Sequence, residues 1–148
     1  MTAPPSPKQP RFLLGKKLKA LDSWSAARQR NAAEYAELFR DLEAKGVIVT
    51  PKCASYDVRH IYNQYVIRVK DGRRDALKAY LAEKEVGCAV YYPLSLHLQA
   101  CFKDLGGKPG DFPVSEAATA EVLALPIYPE STAEQRQYVC DCIAGFFA

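Results

Sequence analysis

The sequence predicts an α+β fold: a long N-terminal helix followed by a small sheet with helices packed on it. Three observations carry this. An apolar stripe at three- and four-residue steps runs through the N-terminal part of the chain. Beyond Gly46, a first short strand is followed by short apolar runs that alternate with helical ones in the order strand, helix, strand, helix, strand, helix. With 148 residues, 49% of them apolar and 25% charged, one domain can build a core without a disulfide or metal staple.

Taken in order, residues 1–11 carry Pro4, Pro5, Pro7 and Pro10 among small and polar residues. Such a leader cannot bury apolar surface and is expected to be disordered. Residues 12–148 form the folded unit. From Leu14 to Lys45 the stripe of Leu14, Leu18, Leu21, Trp24, Ala27, Tyr35, Leu38 and Leu42 predicts one long helix, stopped by Gly46. A helix of about thirty residues measures about 45 Å, more than a domain this size needs, and such helices often bridge two units. Residues 46–148 make the small α+β part. Val47–Thr50 reads as a short strand and His60–Lys70 as a longer one, with Tyr65, Ile67 and Val69 on one face. Asp71-Gly72 turns the chain into a helix over 73–85 that points Leu77, Tyr80 and Leu81 inward. A strand over 87–92 and a glycine-rich loop over 102–112 follow. Pro113 suits the first turn of a helix reaching Glu121. Val122–Ile127 is a short strand. Ser131 with Glu134, or Thr132 with Gln135, offers a capping box for the last helix, which buries Val139, Ile143 and Phe146.

Composition excludes several functions. A net charge of +3, with a single basic cluster at Lys16, Lys17 and Lys19, gives no footprint for nucleic acid. Cys53, Cys88, Cys101, Cys140 and Cys142 are odd in number and lack metal-ligand spacing, so reduced thiols and no metal site are expected. No apolar run approaches the ~20 residues that span a bilayer, and the N-terminus lacks the apolar stretch of a signal peptide. The expected setting is cytoplasmic, with no membrane partner.

Tyr91-Tyr92-Pro93-Leu94-Ser95-Leu96-His97-Leu98-Gln99 is the stretch richest in chemistry. Pro93 removes a backbone donor and ends regular pairing. Hydroxyl, imidazole and amide groups then follow closely on two flat rings. That combination suits a polyhydroxylated ligand, although a capped exit from a strand would use the same residues.

The segment His60-Ile61-Tyr62-Asn63-Gln64-Tyr65-Val66-Ile67-Arg68 and the stretch Tyr91 to Gln99 resemble the C-terminal part of DegT/DnrJ/StrS-type sugar aminotransferases. So do the loop Gly110-Asp111-Phe112-Pro113-Val114-Ser115-Glu116 and the run from Leu123 to Pro129. Leu18 to Asp22, with Arg28, Arg30, Asn31 and Tyr35, is similar to the family's long interdomain helix. The resemblance implies the C-terminal domain of a fold-type-I transferase. It also implies pyridoxal phosphate (PLP) as cofactor of the full-length family and a nucleotide-linked keto sugar as substrate. Tyr91 and Tyr92 are its implied sugar contacts. The first of these positions is often His in relatives. His97 and Gln99 match the family pattern, as ligand contacts or as braces of the loop.

In that family the Schiff-base lysine and the other cofactor groups belong to a large N-terminal domain. None of the eleven lysines here stands in such a motif, and the Asn-x-Arg segment before the long helix is absent. No catalytic or cofactor-binding residue, and no PLP bound by this chain alone, is therefore expected. Three readings stay open: a fragment inactive alone, a subunit completed by a cofactor domain or a homodimer partner, and a small non-enzymatic binding module. Of His60, Tyr62 and Glu116, the first two read as sheet residues and the third as a brace at its helix start.

Overall fold

The structure, a computed structural model, describes residues 9–148, with side chains from Leu14 onward. The leader expected to be disordered lies outside the described residues over 1–8, while residues 9–11 already belong to the first helix. The chain runs α1 (Gln9–Leu18), α2 (Leu21–Leu38), α3 (Arg40–Ala44), β1 (Ile48–Val49), β2 (Tyr65–Val69) and α4 (Arg74–Glu83). Two 3₁₀ turns (Leu96–Leu98 and Ala100–Leu105), α5 (Pro113–Glu121), β3 (Val122–Leu125) and α6 (Ala133–Phe147) follow. This is the expected α+β architecture, a small sheet with helices packed on it.

The long helix expected over 14–45 is three helices. Next to the first break, Ser23 Oγ donates to Ala20 O at 2.7 Å and Ser25 Oγ to Leu21 O at 2.9 Å. At the break itself Ala20 N–H donates to Lys17 O at 3.0 Å, a tighter three-residue step, and Trp24 N–H resumes the four-residue ladder on Ala20 O at 3.0 Å. At the second break the ladder persists, with Phe39 N–H on Tyr35 O and Glu43 N–H on Phe39 O, both at 2.9 Å. The chain kinks there rather than stops. Phe39 is fully buried beside Tyr35, with ring centroids 5.7 Å apart, whereas Leu38 lies at the surface. Leu14, Leu18 and Leu21 are also exposed, so the apolar stripe is uncovered at its N-terminal end.

The sheet has the order β1-β2-β3, antiparallel throughout, with Ile48 opposite Val69 and Tyr65 opposite Leu125. Tyr65, Ile67 and Val69 face a core shared with Tyr35, Phe39, Leu77, Leu81, Leu123 and Ile143. The strand expected over 60–70 pairs only from Tyr65, because the partners end: β1 has two residues and β3 stops at Leu125. Over 60–64 the chain turns instead. Tyr62 adopts φ 46°, its N–H donates to His60 Nδ1 at 3.1 Å, and the two rings pack at 4.2 Å. A left-handed tyrosine is uncommon and needs such support. Of the strand expected over 87–92, only Ala89 pairs, across Ala124 on the far side of β3.

α2 and α6 are joined by polar contacts. Arg136, buried in α6, donates from Nε to Glu34 Oε2 at 2.9 Å and from Nη1 to Ser131 O. Asn31 Nδ2 reaches Tyr128 O at 2.8 Å, and Tyr35 OH reaches Pro126 O at 3.0 Å. These bonds fix the segment leaving β3. Of the two capping boxes, the Thr132–Gln135 pair forms.

Candidate functional site

The Ala89 bridge holds the incoming chain against β3, and Pro93 follows two exposed tyrosines. Tyr91 is 47% exposed and Tyr92 69%, with their rings edge to face at 6.2 Å. Half-bare rings of this size are not filling a core. Tyr91 lines a hollow of about 510 Å³ with Asn63, Gln64, Cys88, Ala89 and the 124–127 segment. Both tyrosines line a second hollow of about 270 Å³ against α5, where Ser95, Ser115 and Thr119 supply hydroxyls. Tyr91 is common to both hollows, which together are the candidate groove.

His97 and Gln99 line neither hollow. His97 Nε2 lies 3.0 Å from Glu116 Oε1, and its ring packs on Phe112 at 4.8 Å. Gln99 Nε2 turns back to Leu94 O at 3.4 Å, and its Oε1 accepts from Cys101 Sγ at 3.8 Å. The structure thus brings Tyr91 and Tyr92 together on the groove and places His97 and Gln99 in the loop behind it. Asn63, Gln64 and Ser115 are wall residues that sequence reasoning passed over. The first two lay hidden in a supposed strand, although adjacent amides just before an apolar run were a usable signal.

Glu116 gathers the loop. Its carboxylate accepts from Gly110 N–H at 2.9 and 3.0 Å and from Phe112 N–H at 3.3 Å, besides facing His97. The Gly110 N–H chiefly holds this carboxyl below its ordinary value of 4.5; burial opposes that, and Phe112 and His97 reinforce it. A carboxyl depressed in the folded state stabilises the fold above its unfolded value, and the contribution is lost as pH falls through the folded value. The loop over 106–112 is therefore expected to loosen only as pH drops below 4.5. An acid titration of the Gly110 amide resonance checks this. A shift centred near neutrality would contradict it.

Arg68 Nε at 2.7 Å and Lys70 Nζ at 2.8 Å pair with Glu121, the last residue of α5, and none of these charges lines either hollow. The five cysteines are free thiols. Among the described residues no group of three His, Cys, Asp or Glu could hold a metal, and no helix is long and apolar enough to cross a membrane.

This geometry has relatives. The chain is 44% identical over 137 residues to the "Pleiotropic regulatory protein" of Geobacillus stearothermophilus, covering 91% of this chain and 35% of that one. It is 30% identical over 131 residues to the dTDP-3-amino-3,6-dideoxy-alpha-D-galactopyranose transaminase of Aneurinibacillus thermoaerophilus, covering 88% and 34%. The crystal structure of S. venezuelae DesV in complex with a ketimine intermediate superposes with a TM-score of 0.80 at 27% identity, covering 90% and 34%. The chain thus spans about a third of the length of the relatives it matches. Residues 12–144 carry the pattern of the DegT/DnrJ/EryC1/StrS aminotransferase family, and the chain belongs to that family.

Proposed function

We propose that this chain supplies the sugar-binding wall of a PLP-dependent aminotransferase acting on a nucleotide-linked keto sugar, in cytoplasmic amino-sugar or polysaccharide synthesis. The observation that supports it most is the placement of Tyr91 and Tyr92. Two tyrosines stand bare on a groove with the Ser115 and Thr119 hydroxyls on the opposite wall, where a pyranose could stack on a ring and bond at its edge. Relatives named as transaminases of dTDP- and UDP-linked sugars support the nucleotide-linked class.

PLP, when bound, supplies the electron sink for amino transfer. The groove walls do not fit it: neither hollow is lined by a lysine that could form the Schiff base or by an arginine that could meet its phosphate. Under this reading the chain is inactive by itself and works with a cofactor-binding domain, or with a homodimer partner that carries one. Its own residues bind and orient the sugar. Mixing the purified chain with PLP and reducing with borohydride tests the division of labour. Only scattered, substoichiometric labelling is expected, and one stoichiometrically trapped lysine would contradict it.

Tyr92 carries a second prediction. Its hydroxyl has no hydrogen-bond partner among the described residues and its ring is largely bare, so Tyr92→Phe should leave the unfolding midpoint of this chain unchanged. In a full-length family enzyme carrying residues 91–99 of this chain, the same change should weaken sugar binding by about 0.5–1.5 kcal/mol, one ordinary hydrogen bond. A clear loss of stability would make Tyr92 a core anchor and sink the reading.

A further inference from the structure

The groove between Tyr92 and α5 is a seam between two pieces of chain that share no regular backbone pairing. One wall is the segment 91–96 and the other is α5. Two side-chain bridges cross it. Ser115 Oγ donates to Ser95 Oγ at 3.1 Å, and Ser95 is buried. One residue further along α5 and two residues beyond Ser95, Glu116 Oε1 meets His97 Nε2 at 3.0 Å. The same carboxylate takes the N–H groups of Gly110 and Phe112, so it also anchors the loop leading into α5. Gly107 in that loop sits hard against His97: a Cβ built there would lie 2.9 Å from the His97 carbonyl oxygen.

We propose that Glu116 is a positioning residue: its carboxylate locks the 106–112 loop to His97 and so sets the width of the seam in which Tyr91 and Tyr92 meet a sugar. This rests on the reading of those tyrosines as sugar contacts. His97 then serves as the lock's other half. The amides at stake belong to exposed residues, and exposed loop amides ordinarily exchange with solvent quickly. The lock therefore has a signature in the native chain. It also has a directional one, because releasing it should disturb Tyr92 and Tyr91, five and six residues before His97, and leave the distant core alone.

The test uses the whole chain labelled with meta-fluorotyrosine, with the Tyr91 and Tyr92 signals assigned by single Tyr→Phe variants. In Glu116→Ala, the signals of Tyr91 and Tyr92 should shift or broaden while those of the core residues Tyr35 and Tyr65 stay in place. Gly107→Ala, which strains the same contact without touching the carboxylate, should move the same two signals. In the unmodified chain, Gly110 and Phe112 amides should exchange roughly tenfold or more slowly than an open loop. Unmoved Tyr91 and Tyr92 signals in either folded variant would overturn the proposal. So would unprotected Gly110 and Phe112 amides, a measurement that stands even if a variant fails to fold. Titration with UDP-glucose separates the two layers. Tyrosine signals that respond to Glu116→Ala but not to the nucleotide sugar keep the lock and refute the sugar reading.

Discussion

Replacing Phe39 with Ala is expected to lower the unfolding free energy by about 3–5 kcal/mol, the range for deleting a buried aromatic ring. Phe39 is fully buried where α2 kinks into α3, and it continues the packing of Tyr35 and Tyr65, whose rings lie 5.0 Å apart. Nothing flexible surrounds it that could fill the space, since Leu42, Ile48 and Ile67 are themselves buried in the same core. Domains of this size are stable by about 5–15 kcal/mol, so the substitution should remove a large share of the total stability. Urea denaturation followed by far-ultraviolet circular dichroism measures the change. Leu38→Ala, one residue earlier but at the surface, should cost less than about 1 kcal/mol. Equal losses would mean that the kink is misplaced and that the stripe runs through residue 38.

Arg136→Met is the second large effect, expected to cost about 1.5–3 kcal/mol. The guanidinium is buried and donates to both Glu34 and the Ser131 carbonyl, so its removal leaves two acceptors to find other partners. Loss of a fully buried ion-pair partner costs about 3–5 kcal/mol. Glu34, however, is 50% exposed in its side chain and can turn to water, which lowers the expectation. Arg59 makes a comparable ion pair with Asp22 at 2.8 Å, but Asp22 is 87% exposed, and Arg59→Ala should cost at most about 1 kcal/mol. Comparing the two variants by thermal unfolding separates enclosure from mere proximity. A similar shift in both would show that Arg136 owes nothing to its burial.

The parts of this fold that were legible in the sequence are those with redundant local signals. α5 begins at Pro113 and ends at Glu121 as read, because proline pre-sets the first turn and a short apolar run follows. The inward residues Leu77 and Leu81 of α4 are fully buried, as their spacing required. Periodicity was less decisive where two spacings compete. Steps of three and four both connect Tyr35 to Leu42, through Leu38 or through Phe39, and only tertiary packing selects Phe39. Strand lengths were overestimated for a different reason. Alternation over 60–64 is compatible with a strand, but pairing needs a neighbour, and the sequence does not reveal where a neighbour stops.

The site divides in the same way. Tyr91 and Tyr92 could be singled out because a proline follows a pair of aromatics, and the groove lies where that break puts it. The partners of His97 and Gln99 could not be read, since Glu116 lies nineteen positions from His97 and only the fold brings them together. Residue type shows that an imidazole can bond. It does not show to what.

The most direct test of the account is a titration of the isotope-labelled chain with UDP-glucose and dTDP-glucose, followed by NMR. If Tyr91 and Tyr92 form a sugar-binding wall, their signals and the side-chain amides of Asn63 and Gln64 should move together and saturably at millimolar concentrations, more weakly in Tyr92→Phe. Signals at these four residues that stay fixed, while the chain remains folded, would contradict it.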